Sequence, residues 1–76
     1  MKTKETYKPF KVGKEVQWKW VGGVVEGVVE EVHMGPIEKK IKGKKIKRNG
    51  SVEKPAYLVK SKAGNLALKL HTELLS

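Results

Sequence analysis

The chain has 76 residues, 17 Lys or Arg against 8 acids, a net charge of +9 and no cysteine. A chain this short makes one domain with one thin core, hiding only about 60% of the surface its unfolded form exposes, and it has no disulfide or thiolate metal site to reinforce that core. No apolar stretch approaches the roughly 20 residues of a membrane helix, so a soluble, cytoplasmic monomer without membrane insertion is expected.

Met1 to Lys8 is polar and without apolar periodicity, and reads as a flexible N-terminal tail (1–8) ahead of a single domain (9–76). Pro9 and Phe10 open the ordered part, and Val12-Gly13 forms a lead-in turn. Val16, Trp18 and Trp20 alternate with Gln17 and Lys19, the two-residue period of a strand buried on one face, placed at Glu15 to Trp20. Gly22-Gly23 supplies the positive φ angles of a tight hairpin, and the valine-rich run from Val24 to Met34 is the second strand. Gly27 inside it suggests a bend or bulge. Val25, Gly27 and Val29 share one face, and Val32 joins them only if an extra residue is inserted near Glu30.

Gly35-Pro36 is a turn, after which Ile37, Ile41 and Ile46 are the large apolar residues among lysines. The spacing of Ile37 and Ile41 allows a short helix from Pro36, but Gly43 in the middle favours a third strand in which that glycine is a bulge. Asn49-Gly50-Ser51 is loop. Pro55 introduces a fourth strand over Ala56 to Lys60, Ala63-Gly64-Asn65 turns the chain into a fifth, Leu66 to Leu70, and His71 to Leu74 reads as a closing helical turn capped near Thr72. The fold class is therefore all-β: a small five-stranded SH3-like (Tudor-like) barrel with a short C-terminal helical turn. Its expected core is Val16, Trp18, Val25, Val29, Val32, Tyr57, Val59, Leu68 and Leu74.

Over about Phe10 to Leu74 the chain resembles the hypervirulence-associated protein TUDOR domain family, formerly a domain of unknown function. The resemblance rests on Val12-Gly13-x-x-Val16-x-Trp18, Val25-x-Gly27-x-Val29, Lys42-Gly43-Lys44, Lys47-Arg48-Asn49, Pro55-Ala56-Tyr57 and Leu68-Lys69-x-His71-x-Glu73-Leu74. Lys14 departs from it, standing where the family usually places an acid after the glycine. The resemblance implies an SH3-like or Tudor-like barrel without enzymatic activity.

The residues themselves argue against catalysis. There is no Asp and no Cys, and Ser51, Ser61 and Ser76 occupy no nucleophile-bearing turn before a helix. His33 and His71 have no metal-ligand spacing, so neither a metal nor another cofactor is expected. His71 reads instead as a hydrogen-bonding anchor for the last turn, and His33 as a half-exposed strand end. Glu30 and Glu31 are adjacent and point to opposite faces of a regular strand, so a carboxylate pair there would require the local bulge to rearrange them.

Binding is the remaining class. Seven of the 17 basic residues, Lys39, Lys40, Lys42, Lys44, Lys45, Lys47 and Arg48, fall within ten positions that contain no acid. Such a run can neutralise the phosphates of DNA or RNA, with Trp20 or Tyr57, if exposed, stacking on an unpaired base. Sixteen lysines and one arginine suit point-charge contacts with phosphate better than bidentate reading of guanine, so this binding would tolerate any sequence. The alternative partner is a peptide or protein. A Tudor-like cage for a methylated side chain would draw on Trp18, Trp20, Tyr57, Tyr7 and Phe10 with Glu26; an SH3-like module would use an edge strand or a groove between loops. The lysines would then guard a sheet edge against aggregation.

Overall fold

The computed structural model describes residues 9–75; the expected N-terminal tail lies outside them. Six strands follow one another, β1 (Glu15–Trp20), β2 (Gly23–His33), β3 (Pro36–Ile41), β4 (Lys44–Asn49), β5 (Ala56–Ser61) and β6 (Leu66–Leu70), and a 3₁₀ turn, His71–Glu73, closes the order. The all-β class and the Tudor-like architecture hold, with six strands in place of five. β1, β2, β5 and β6 form one curled antiparallel sheet in that order, and β3 and β4 form a separate hairpin inserted between β2 and β5.

The extra strand comes from the Lys42-Gly43 step. Both residues have left-handed backbone, φ 52° and 80°, and Ile41 pairs directly with Lys44. Two successive positive φ values make the tight reversal that matches the right-handed twist of paired strands. Gly43 is thus the second half of a turn rather than a bulge in one strand. Sequence reading passes over it because Asn or Asp, not Lys, usually precedes the glycine in such turns.

Strand β2 holds the sheet together by pairing along its first half with β1 and along its second half with β5. Its register shifts between Val29 and Glu31, which is the inserted residue that the valine parity requires. Val29 then faces Val59, and Val32 faces Tyr57. Gly27 is no bulge. It pairs regularly with Val16 on one side and Ser61 on the other, and its need for glycine is steric: an added Cβ would overlap the Lys60 carbonyl oxygen and stand 2.9 Å from Ser61 Cα.

Two apolar layers result. Val16, Trp18, Val29, Tyr57, Val59 and Leu74 cluster on the concave face, with Phe10, Val25, Val32 and Ala67 packed against them. Leu58 alternates with Tyr57 and Val59 and pairs with Leu68, so these two leucines point to the convex face, where both are buried. Their cover is the β3–β4 hairpin, which packs against β6, with Ile37, Ile41 and Ile46 half-buried on its inner face. The chain returns from the hairpin at Gly50, so close to the sheet that a Cβ there would meet Ala56 N at 2.7 Å.

Closure of the curled sheet is made by its own C-terminal residues. After the 3₁₀ turn, Leu75 adds to the free edge of β1 through two backbone hydrogen bonds with Gln17, each 2.8 Å. The turn is capped by Glu73, whose carboxylate accepts the Leu70 N–H at 2.8 Å, and not by Thr72. Among the described residues, no helix is long and apolar enough to cross a membrane.

Two substitutions test this backbone reading by chemical denaturation. Gly27→Ala should cost at least about 2 kcal/mol, because the clash is with backbone that no rotamer change relieves. Lys42→Asn should stabilise by about 0.5–1 kcal/mol, because Asn tolerates the left-handed conformation that strains lysine; a neutral or destabilising Asn would mean the turn is not built as described.

Candidate functional site

The hairpin register sorts the basic run onto two faces. Opposite residues share a face in an antiparallel pair. Lys40 opposite Lys45, and Glu38 opposite Lys47, therefore make the outward face, where all four are exposed. Lys39 opposite Ile46, Arg48 opposite Ile37, and Lys44 opposite Ile41 make the inward face. Lys42 stands at the tip, on the turn.

Inward cations meet acids that lie far off in the sequence. Lys39 Nζ is 3.0 Å from Glu31 Oε1 and donates to Oε2 at 3.2 Å, while His33 Nε2 contacts the same carboxylate at 2.8 Å. These two hydrogen bonds, His33 first, hold the Glu31 carboxyl below its ordinary pKa. Arg48 reaches Glu73 at 3.7 Å. Among the described residues no ion pair joins Lys40, Lys42, Lys44, Lys45 or Lys47 to an acid. The seven expected contacts thus divide into two held by acids, Lys39 and Arg48, and five without an ion pair among the described residues, of which Lys44 lies on the inward face.

The two expected aromatic contacts part company. Trp20 is 64% exposed, at the end of β1 where the core face of Val16 and Trp18 runs out past the packed layer. Lys69 Nζ lies 5.9 Å from its ring centre, a weak cation–π contact. Tyr57 is fully buried and offers no surface to a base. Its hydroxyl accepts the Phe10 N–H at 3.0 Å and meets His71 Nδ1 at 2.8 Å. Phe10 stacks on that imidazole at 4.6 Å, so His71 does anchor the last turn.

Trp18 and Tyr57 are both core residues, and Phe10 is packed against them. They cannot converge on an exposed ammonium group, and Tyr7 lies outside the described residues. Trp20 is thus the single expected cage ring that the described residues leave open. Among the described residues no group of His, Asp or Glu side chains could hold a metal ion.

A groove the sequence did not disclose lies between β6, the tip of the β1–β2 hairpin and the inner face of β3–β4. It encloses about 980 Å³ and is lined by Trp20, Ile41, Ile46, Leu66, Leu68 and Lys69. Lys42, Lys44, Arg48 and Lys62 border it as well, and the acid on its lining is Glu26, held by Lys62 at 3.0 Å. Its elements come from three separate hairpins. The sequence signal present was the exposed end of the Trp18-Lys19-Trp20 alternation and the Leu66–Leu70 run.

The Tyr57–His71 lock has a pH signature. Burial holds the His71 pKa below its ordinary value of 6.5. Below 6.5 the unfolded chain therefore binds more protons at this site than the folded one. The stability it contributes is complete above pH 6.5 and is lost as pH falls toward the folded pKa. Thermal unfolding followed from pH 7 to pH 5 should show a falling midpoint, and His71→Asn, which keeps an acceptor for Tyr57, should flatten that slope; an unchanged slope would remove His71 as its source.

Comparison with known proteins gives one family match: the model described as "Hypervirulence associated proteins TUDOR domain" covers residues 13–74. No curated protein and no solved structure matches.

Proposed function

Because the chain belongs to the family of hypervirulence-associated TUDOR domains, whose Tudor-like members are typically non-catalytic binding modules, we propose that it binds nucleic acid in a sequence-tolerant way through the outer face and tip of the β3–β4 hairpin. The observation that carries this reading is the set of exposed lysines Lys40, Lys42, Lys45 and Lys47, standing without acid partners among the described residues on a two-stranded ribbon. Three considerations support it.

First, the ribbon is narrow and rigidly paired along six residue pairs, so its charges sit at fixed strand spacings rather than on a floppy tail. Second, two lysines facing each other directly, Lys40 and Lys45, repel, and a like-charge cross-strand pair costs stability that an anion between them would recover. Third, the net charge of +9 raises the local concentration of any polyanion around the whole domain. Lys39 and Arg48, engaged by Glu31 and Glu73, serve the fold, and Lys44 belongs to the inner face. Lysine without arginine on the outer face supplies charge and no base-edge reading. The reading places the protein in the cytoplasm, where nucleic acid is at hand.

Fluorescence anisotropy with a labelled oligothymidylate tests it. If these four lysines meet four phosphates, affinity should fall about 50-fold between 50 and 200 mM salt, from a slope of roughly −0.7 per phosphate. Lys45→Glu with Lys47→Glu should weaken binding at least about tenfold at 50 mM salt, the expected result of reversing two phosphate contacts. Absence of binding at 50 mM salt, or an affinity indifferent to the two reversals, removes the proposal.

A further inference from the structure

The β1–β2 hairpin outruns the sheet that carries it. Pairing of β2 with β5 stops at the Gly27–Ser61 pair and the Lys62 N–H, which donates to Glu26 O at 3.0 Å. Beyond that point Trp18 and Val25 still belong to the core or pack on it, but every residue from Lys19 to Val24 is exposed. The last two pairs, Lys19–Val24 and Trp20–Gly23, thus stand clear of the sheet over about 7 Å of strand rise. This tip is apolar. Trp20 is 64% exposed, Val21 90% and Val24 56%. Trp20 lies opposite a glycine, which gives its ring no cross-strand cover. Val21 sits in the turn itself, beside Gly22 with φ 85°, where glycine, proline and short polar side chains are usual and a β-branched apolar one is not. Leu66, also exposed, lines the same groove as Trp20 and Val24. Apolar residues exposed singly need no explanation, but a cluster of them rimmed by polar groups marks an interaction surface.

We propose that this tip docks on the surface of a lipid bilayer carrying anionic headgroups, with Trp20, Val21 and Val24 entering the interfacial layer and the lysines around them meeting headgroup phosphates. The charges are placed for it. Lys19 lies opposite Val24, Lys69 Nζ is 5.9 Å from the Trp20 ring centre, and Lys44 lines the groove with Trp20. Among the described residues no ion pair joins any of these three to an acid. The acid on the groove, Glu26, is held by Lys62. An indole ring favours the boundary between hydrocarbon and headgroups, and a lysine beside it can lay its stem along apolar surface while its ammonium rises to a phosphate. The reach of the tip suits the depth of about 5–10 Å at which interfacial elements lie. A bilayer takes in a convex tip without a shaped pocket. Nucleic acid offers phosphates to the lysines and a base to Trp20, but nothing apolar for Val21 at the outermost point. A second copy of this chain is a poor occupant, since two bodies of charge +9 repel. The contact is peripheral, on the membrane and not through it. It does not use the outward lysines Lys40, Lys45 and Lys47, and it stands whatever their role.

The test is co-sedimentation of the whole chain with vesicles, with tryptophan emission as a second readout. Vesicles of phosphatidylcholine and phosphatidylglycerol in equal parts should bind the chain and shift its emission to the blue; Trp18 is buried already, so the shift reports Trp20. Phosphatidylcholine alone should bind about a hundredfold more weakly, from roughly fivefold for each of three lysines near an anionic surface. Val21→Glu, at a position too exposed to disturb folding, should weaken binding to the mixed vesicles about tenfold. Val52→Glu makes the same charge change at another exposed valine, in the loop before β5 and so at the opposite end of that strand from the tip. It should weaken binding less than about twofold, because salt screens a charge held that far from the surface. Binding without the blue shift, or equal losses from the two valine variants, overturns the proposal, as does failure to sediment at millimolar lipid, which would leave the tip to a protein partner. Val21→Glu weakening oligothymidylate as much as vesicles also overturns it, by assigning the tip to nucleic acid. So does an emission shift that grows with protein concentration in the absence of lipid, by assigning the tip to a second copy.

Discussion

One extra residue in β2 sets the rest of the structure. Without the register shift after Val29, Val25 and Val29 would face the concave side and Val32 the convex one, and a strand cannot pack half of its apolar set against each of two different layers without exposing part of both. With it, β2 serves β1 along one half and β5 along the other while keeping its valines toward Tyr57, Val59 and Trp18. A shift of this kind also bends the strand, which brings the free edge of β1 within reach of Leu75. Gly27 works in the same region from the opposite direction, by letting the Lys60 carbonyl approach where any side chain would hold it off.

The inserted hairpin has a double character that follows from its pairing. Its inner face gives the curled sheet the cover that Leu58 and Leu68 need, and it is fastened by the Lys39–Glu31 and Arg48–Glu73 contacts. These half-exposed pairs add little energy singly; their effect is to fix which face turns inward. The outer face, freed of packing duties, carries Lys40, Lys45 and Lys47 beside Glu38. Its three lysines on a short, isolated ribbon also discourage pairing with a neighbouring molecule.

The sheet manages its two edges unequally. β1 is partly covered by Leu75, whereas at β6 the Glu73 carboxylate takes the Leu70 N–H and Leu68 is buried. The hairpin approaches β6 without pairing to it, and the groove is the space left between them. Trp20 stands at its mouth because the concave core ends two residues earlier, at Trp18.

Much of the fold was written into the chain locally. Alternation in Val16–Trp20 fixed β1, valine parity required the inserted residue near Glu30, and nine core positions read from periodicity are all buried or packed against the core. Local pattern reports which face of a strand is apolar, since that depends only on a two-residue period. It does not report what lies opposite that face. The Lys42-Gly43 reversal escaped because lysine carries no turn signature. Tyr57 had the same strand parity whether exposed or core, and only the packing of Phe10 and His71 around its hydroxyl decided. The acid-free basic run was divided by Glu31 and Glu73, which reach it through space from 8 residues before Lys39 and 25 after Arg48. Charge composition and strand period belong to the sequence by itself; the pairing of distant charges and the groove beside β6 exist only once three hairpins have been brought together.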